Sequence, residues 1–153
     1  WHNMPVPSWL YEVKAGGTSI WERWDALRPD GTVNLGKDPG SGLINAVGGG
    51  MVSFNHYANG AVGDWLYRRV AGLEAIEPGY KKFKVAPLVG GGLTSVSCFK
   101  KLSSGTIKIN WNFENGVFVL SINVPFNTSA VITLPDGKSF EVSSGKYVYS
   151  VEM

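Results

Sequence analysis

The sequence predicts a mainly β protein, in which an antiparallel β-sandwich follows a partly helical segment. Residues 106–113 alternate apolar and polar side chains, as a half-buried strand does. Asn115-Gly116 then predicts a tight turn, because both residue types tolerate positive φ, and a second alternating run follows at 117–124. The first 70 residues hold five of the six tryptophans, so the two halves of the chain differ in composition.

The rest of the second half predicts more strands of the same kind. A second hairpin is expected to turn at residues 135–137, which read Pro-Asp-Gly. Short strands separated by frequent turns are typical of an antiparallel sandwich, which we place at residues 78–153. The predicted strands lie at residues 83–88, 93–102, 129–134, 138–142 and 147–151.

The first half has a different pattern of apolar residues and a different composition. Between residues 56 and 75, apolar side chains recur at spacings of three and four, which predicts an amphipathic helix of about five turns. Pro78 is expected to end it, because proline cannot continue a helix. Residues 28–50 are rich in glycine, proline and asparagine and predict a long loop, most of it at 32–50. One helix and one loop cannot enclose a core, so the apolar helix face needs a partner.

Composition argues against several function classes. A net charge of +2 with dispersed basic residues does not favour nucleic-acid binding. No stretch has the length of a transmembrane helix, so we expect no membrane partner. Cys98 is the only cysteine, which excludes an intrachain disulfide. With two histidines it falls short of a usual zinc set, so we expect no metal site.

Two clusters in the first half contain chemically useful side chains. Residues 18–25 place Glu22 between Trp21 and Trp24, and aromatic faces beside a carboxylate suit a carbohydrate site. The alternative, which composition alone favours, is that both tryptophans are core and that Glu22 pairs with Arg23. His56 lies in the second cluster, at residues 53–57, where a capping or packing role is the alternative to ligand binding.

These clusters, in this order, resemble the α-L-rhamnosidases of glycoside hydrolase family seventy-eight. The similarity spans about residues 5 to 96 and includes the Trp-Glu-Arg-Trp-Asp motif at 21–25. The resemblance implies that residues 1–77 are the carboxy-terminal end of an (α/α)6 catalytic barrel and that residues 78–153 are the β-sandwich that follows it. The matching stretches lie at residues 7–11, 18–25, 53–58, 63–67, 78–80 and 90–94.

The resemblance also implies a reaction and a set of site residues. These enzymes release terminal α-L-rhamnose from glycosides with inversion, by a general acid and a general base on opposite faces of the sugar. By the resemblance, this chemistry needs no cofactor. By this similarity Glu22 is the general base, His56 contacts the rhamnose, and Trp21 and Trp24 form walls of the sugar site. The general acid belongs to earlier barrel helices, outside this chain. The chain alone is therefore expected to be inactive, and its substrate, a rhamnose-containing glycoside, to need the upstream barrel.

Two other interpretations remain open at this point. The chain could be a stand-alone carbohydrate-binding or structural β-sandwich module, which would bind sugar without hydrolysing it. It could also associate with itself through the apolar face predicted at 56–75, because large exposed apolar patches drive association. A bacterial origin is implied by the resemblance, and a cytoplasmic or a secreted or periplasmic location both fit.

Overall fold

The structure, a computed structural model, describes residues 5–35 and 51–153. The chain divides into two compact units, residues 1–62 and residues 63–153, and each is described by itself. Of the loop predicted over residues 28–50, the part from 36 to 50 lies outside the described residues. No helix among the described residues is long and apolar enough to cross a membrane.

The first unit contains the short helix α1, over Trp9–Lys14. Ser8 caps its start, because the Ser8 Oγ accepts a hydrogen bond of 3.1 Å from the backbone N–H of Tyr11. The backbone then runs through turns and bends to residue 35, with a β-bridge between Leu27 and Val33. Tyr11 Oη donates to the carbonyl of Leu27 at 2.9 Å, which fastens this irregular segment to the helix.

The helix predicted at 56–75 is wrong in extent. One α-helical turn, α2, covers Val62–Trp65 and continues as a π-helical turn over Leu66–Val70. The chain before it turns at Gly60, and Gly72 ends it with a φ of 79°. Part of the apolar spacing therefore belongs to a strand, since Leu73 is fully buried in a sheet.

Large aromatic side chains of the helical segment 62–70 are partly exposed. Trp65 and Tyr67 keep 45% and 43% of their surface accessible to solvent. Self-association through the apolar helix face stays a prediction. Asp64 is paired with Arg68 four residues later, with a 2.8 Å hydrogen bond from Arg68 Nε, a spacing at which side chains on one helix face meet.

The second unit contains two four-stranded sheets that share one core. The first sheet has the order β1-β2-β6-β7 and the second has the order β3-β4-β5-β8. All pairings are antiparallel except that of β2 with β6, which is parallel. The mainly β fold with a carboxy-terminal sandwich is thus confirmed. The strands are β1 (Leu73–Ala75), β2 (Lys82–Val85), β3 (Ser95–Leu102), β4 (Gly105–Glu114), β5 (Val117–Val124), β6 (Ser129–Thr133), β7 (Ser139–Val142) and β8 (Gly145–Glu152).

Both predicted hairpins are present. Asn115 and Gly116 join β4 to β5 with φ values of 52° and 77°, the positive values that the Asn-Gly pair predicted. Gly137 joins β6 to β7 with a φ of 87°. Its backbone N–H donates to the carbonyl of Leu134 at 2.9 Å, which closes the turn.

The core of the sandwich comes from the alternating residues of both sheets. Ile107, Ile109 and Trp111 of β4 point inward, as the period of two predicted. The ring of Trp111 is buried, and its indole N–H donates to the carbonyl of Val70 at 2.9 Å. This buried donor therefore has a hydrogen-bond partner. Cys98 packs against this core, and burial raises the pKa of its thiol. The other core residues are Leu73, Phe83, Val85, Phe118, Leu120, Ile122, Val124, Ala130, Ile132 and Leu134.

Candidate functional site

The two clusters singled out in the sequence lie side by side in the first unit. The backbone N–H of Glu22 donates to the carbonyl of Ser53 at 2.9 Å. The backbone N–H of His56 donates to the carbonyl of Ile20 at 2.8 Å. The chain thereby brings residues 20–22 against residues 53–56, although about thirty positions of sequence separate them.

Side chains strengthen this junction. Ser19 Oγ donates to the carbonyl of Phe54 at 2.6 Å. Asn59 Nδ2 lies 3.3 Å from the carbonyl oxygens of both Trp21 and Glu22. The backbone around Glu22 is therefore held from both sides, which is the kind of rigid support that a functional carboxylate needs.

Glu22 itself is half-buried and fixed at one oxygen. Its Oε2 accepts a 2.8 Å hydrogen bond from the backbone N–H of Ser53. Among the described residues, Oε1 has no hydrogen-bond partner, so this oxygen is free to accept a proton from water. An oriented carboxylate with one free oxygen is what a general base requires.

Arg23 does not pair with Glu22, so that part of the structural alternative is wrong. Its Nε lies 3.8 Å from Asp25 Oδ1, and its guanidinium also donates to the carbonyl of Asn34. Asn34 Nδ2 donates to Asp25 Oδ2 at 2.8 Å. Asp25 thus interacts with both Arg23 and Asn34. Within the described residues, the carboxylate of Glu22 forms no ion pair.

Trp21 is a core residue of the first unit. Only 4% of its surface is exposed. Its ring meets Tyr11 and Phe54 edge-on, with centroid distances of 6.5 Å and 5.2 Å. The indole thus packs among aromatic side chains and presents little of its face to a ligand.

Trp24 is on the surface instead. It is 38% exposed and packs at a tilt on Trp9, with ring centroids 5.5 Å apart. Together with Pro7, Asp25 and Asn59 it lines a cleft of about 330 Å³. The two tryptophans of one motif therefore have different environments, one inside the unit and one facing solvent.

His56 has a defined neutral tautomer. Its Nδ1 accepts a hydrogen bond of 3.0 Å from the backbone N–H of Ala58, so in the neutral ring the proton is on Nε2. The ring stacks on Tyr57 with centroids 5.0 Å apart. In this tautomer Nε2 is a hydrogen-bond donor, and a sugar hydroxyl is a matching acceptor.

Glu12 is a site-supporting residue that sequence reasoning missed. It is buried, and its Oε1 accepts a 2.8 Å hydrogen bond from the backbone N–H of Trp21, the residue before Glu22. Burial raises the pKa of Glu12, and this hydrogen bond lowers it by less. No local motif marks the residue, because its partner lies nine positions away in an irregular segment.

We expect Glu12→Gln to stabilise the first unit at neutral pH. The folded-state pKa of Glu12 is raised above its ordinary value of 4.5, so its favourable contribution is complete below that pH and is lost as pH rises through the folded pKa. Glutamine keeps the acceptor oxygen but never ionises. Urea titrations followed by tryptophan fluorescence should therefore show the variant more stable than the parent at pH 7, with the gap closing near pH 4.

Glu12→Ala is the matched comparison. It removes the acceptor and leaves the buried N–H of Trp21 unpaired, which costs about 1–3 kcal/mol at either pH. A glutamine variant that is less stable than the parent at pH 7 would mean that the charge of Glu12 is itself stabilising.

Metal ligands do not cluster in the part of the chain that the structure describes: no group of three or more His, Cys, Asp or Glu side chains there could hold an ion.

Comparison with known proteins agrees with this assembly of residues. Residues 2–70 match the family model of the bacterial α-L-rhamnosidase six-hairpin glycosidase domain. Residues 72–149 match that of the bacterial α-L-rhamnosidase C-terminal domain. The two models therefore cover both units of the chain.

Curated relatives carry the same name. An α-L-rhamnosidase of Streptomyces avermitilis is 33% identical over 98% of this chain, and one of Formosa agariphila is 35% identical over 90% of it. The chain spans only 15% and 13% of the lengths of these two relatives.

Solved structures are similar in fold as well as in sequence. The native α-L-rhamnosidase of Aspergillus terreus superposes with a TM-score of 0.81 at 37% identity, over 98% of this chain and 16% of that one. The Streptomyces avermitilis enzyme complexed with L-rhamnose gives 0.78 at 31% identity, over 99% and 15%. Since the family models, the curated relatives and the solved structures agree, this chain belongs to the bacterial α-L-rhamnosidase family.

Proposed function

We propose that this chain supplies the general base and part of the sugar site of an inverting glycoside hydrolase that releases terminal α-L-rhamnose. The observation that carries the proposal is the carboxylate of Glu22, fixed at Oε2 by the backbone N–H of Ser53. Membership of the α-L-rhamnosidase family supports the substrate class, and the rhamnose complex of a relative supports the sugar.

In the proposed reaction, Glu22 Oε1 takes a proton from a water molecule while the oxygen of that water attacks the anomeric carbon. The glycosidic C–O bond breaks on the opposite face, and a general acid protonates the leaving oxygen. Attack and departure on opposite faces invert the anomeric configuration. The carboxyl groups of such a pair stand roughly 6.5–9.5 Å apart, which leaves room for the water.

We propose that the acid lies outside this chain. In the described part of the first unit, Glu12 is buried and Asp25 is engaged by Arg23 and Asn34. Asp30 is exposed and closes its own turn by accepting from Thr32. None of these carboxylates combines exposure with freedom from partners, and relatives are several times longer than the chain.

Trp24 and His56 are the proposed sugar contacts. Trp24 lines the 330 Å³ cleft with an exposed ring, which can cover the apolar face of a pyranose. The Nε2–H of His56 can donate to a hydroxyl. The family resemblance implied that Trp21 forms a wall of the sugar site. Because Trp21 is buried, we propose instead that it packs behind the site and does not contact the sugar.

The domain boundary is proposed at residues 77 and 78. On this proposal residues 1–77 end the (α/α)6 barrel domain, and residues 78–153 form the sandwich together with its edge strand β1, which residues 73–75 contribute from before the boundary. The two family models meet a few positions earlier, between residues 70 and 72, in support of a boundary in this part of the chain.

The test compares the natural gene product with the 153-residue chain on p-nitrophenyl α-L-rhamnoside. We expect hydrolysis by the natural gene product, release of the inverted β-anomer in early NMR spectra, and no turnover by the 153-residue chain. Release of the α-anomer would contradict the inverting mechanism. Sugar binding without hydrolysis by either form would favour the stand-alone carbohydrate-binding module.

His56→Ala is expected to raise KM about tenfold in the natural gene product, because it deletes one neutral hydrogen bond to the sugar. His56→Gln retains an N–H donor at a similar position and should recover most of the affinity. Steady-state kinetics on both variants measure the difference. Equal KM values for the alanine and glutamine variants would exclude a donor role for His56.

A further inference from the structure

A second cleft lies on the outer face of the sheet β3-β4-β5-β8, in the second unit. It is shallow and has a volume of about 310 Å³. The strand register places Ser95 beside Asn112, and Ser97 beside Asn110, which in turn lies beside Ser121. The outward-facing polar residues that line the cleft are Ser95, Ser97, Asn110, Asn112 and Ser121.

This set is unusual for the outer face of a sheet because none of the lining residues is charged. Exposed strand faces in soluble proteins commonly carry lysine and glutamate, as this sheet does at Lys108 and Glu114. Hydroxyl and amide groups instead offer both donors and acceptors without a net charge. Such a lining matches a ligand that is itself neutral and rich in hydroxyls.

Asn110 is oriented for binding. Ser97 Oγ donates to Asn110 Oδ1 at 2.7 Å, which fixes the amide and occupies its oxygen. The Nδ2 group, with two N–H donors, has no acceptor among the described residues. A ligand hydroxyl in the cleft would provide one.

The next outward-facing residue of β3 after the cleft-lining Ser97 is the aromatic Phe99, which pairs across the strands with Lys108. Phe99 follows Ser97 by two residues on β3, so both side chains project from the same face of the sheet. Phe99 is 61% exposed, and its ring does not belong to the core. An exposed aromatic face beside neutral polar groups suits a sugar ring, whose C–H face is apolar and whose edge carries hydroxyls.

We propose that this cleft of the second unit is a binding site for a neutral saccharide. Asn110 and the serine hydroxyls contact the sugar hydroxyls, and Phe99 covers one face of the ring. The inference does not rest on the proposed function, because it uses only residues of the second unit. It assigns a sugar-binding role to the sandwich.

NMR titration of the ¹⁵N-labelled 153-residue chain tests the site directly. The probes are L-rhamnose, D-galactose and D-glucuronate, each up to about 100 mM, a range that detects millimolar dissociation constants. We expect saturable shifts at residues 95–99 and 110–112 with at least one neutral sugar. Stronger binding of glucuronate would overturn the neutral class, and the absence of saturable shifts at these residues with every probe would overturn the site.

Variants separate specific binding from general surface effects. Asn110→Ala and Phe99→Ala are each expected to weaken binding about tenfold, since each removes one principal contact. Phe126→Ala is the control, because Phe126 is also exposed but lies in the turn after β5, outside the cleft. Equal weakening by Phe99→Ala and Phe126→Ala, or no weakening by Asn110→Ala, would contradict the proposal.

Discussion

Replacing Glu22 by glutamine in the natural gene product is expected to lower kcat for rhamnoside hydrolysis by a factor of about 10²–10⁴. The amide has nearly the shape of the carboxylate, and its oxygen can still accept from the backbone N–H of Ser53. It cannot accept a proton from water. The loss should therefore appear in kcat, with KM within a few-fold of the parent value.

The control for this prediction is Glu77→Gln, which changes an exposed glutamate outside the site segments and should leave kcat unchanged. Added azide needs no general base, so it should restore turnover to Glu22→Gln and give the rhamnosyl azide of inverted configuration. Activity of Glu22→Gln within threefold of the parent would remove Glu22 from the role of base.

Replacing Gly72 by alanine should destabilise the second unit by about 3 kcal/mol or more. Gly72 has a φ of 79°, which L-residues rarely adopt. A Cβ there would lie 2.3 Å from the backbone N of Pro87 and 2.4 Å from the carbonyl carbon of Ala86. These are backbone atoms, and the Ala86 N–H is bonded to the Gly72 carbonyl at 2.9 Å, so the clash cannot be relieved by a side-chain rotation.

Gly79→Ala is the matched comparison for this variant. Gly79 has a similar φ of 68°, but a Cβ there would meet no atom within 4 Å. Its cost is the backbone term alone, about 1–2 kcal/mol. Urea denaturation of both variants, followed by far-UV circular dichroism, measures the difference. Equal losses would mean that the close approach of Gly72 to Ala86 and Pro87 adds nothing.

The sandwich could be predicted because its signals are local. The period of two in β4 and β5 and the Asn115-Gly116 turn fix strand, turn and buried face within twenty residues. The helix predicted at 56–75 failed for the opposite reason. Apolar spacing alone does not tell which element buries each residue, and Leu73 is buried by pairing with Val85, twelve positions away.

The candidate site was predictable in its parts more than in its geometry. The two motifs around Glu22 and His56 were identified from the sequence, and the structure brings them together. Trp21 points inward and Trp24 outward because of an irregular backbone. Such a backbone has neither the helix nor the strand period from which buried positions can be predicted. The role of Glu12 could not be predicted, because it bonds the Trp21 backbone nine positions away in an irregular segment, and no sequence spacing indicates such a contact.

The parallel pairing of β2 with β6 has a consequence for the order of folding. Lys82 pairs with Ser129, so these strands meet only after the chain between them has been made, and most of that chain is the meander β3-β4-β5. Hairpins close in microseconds, whereas distant strands must first overcome a larger loss of loop entropy. The meander β3-β4-β5 can therefore form during synthesis before β2 and β6 pair, and β8, the last strand in the chain, completes that sheet at β5 only after β6 and β7 have been made.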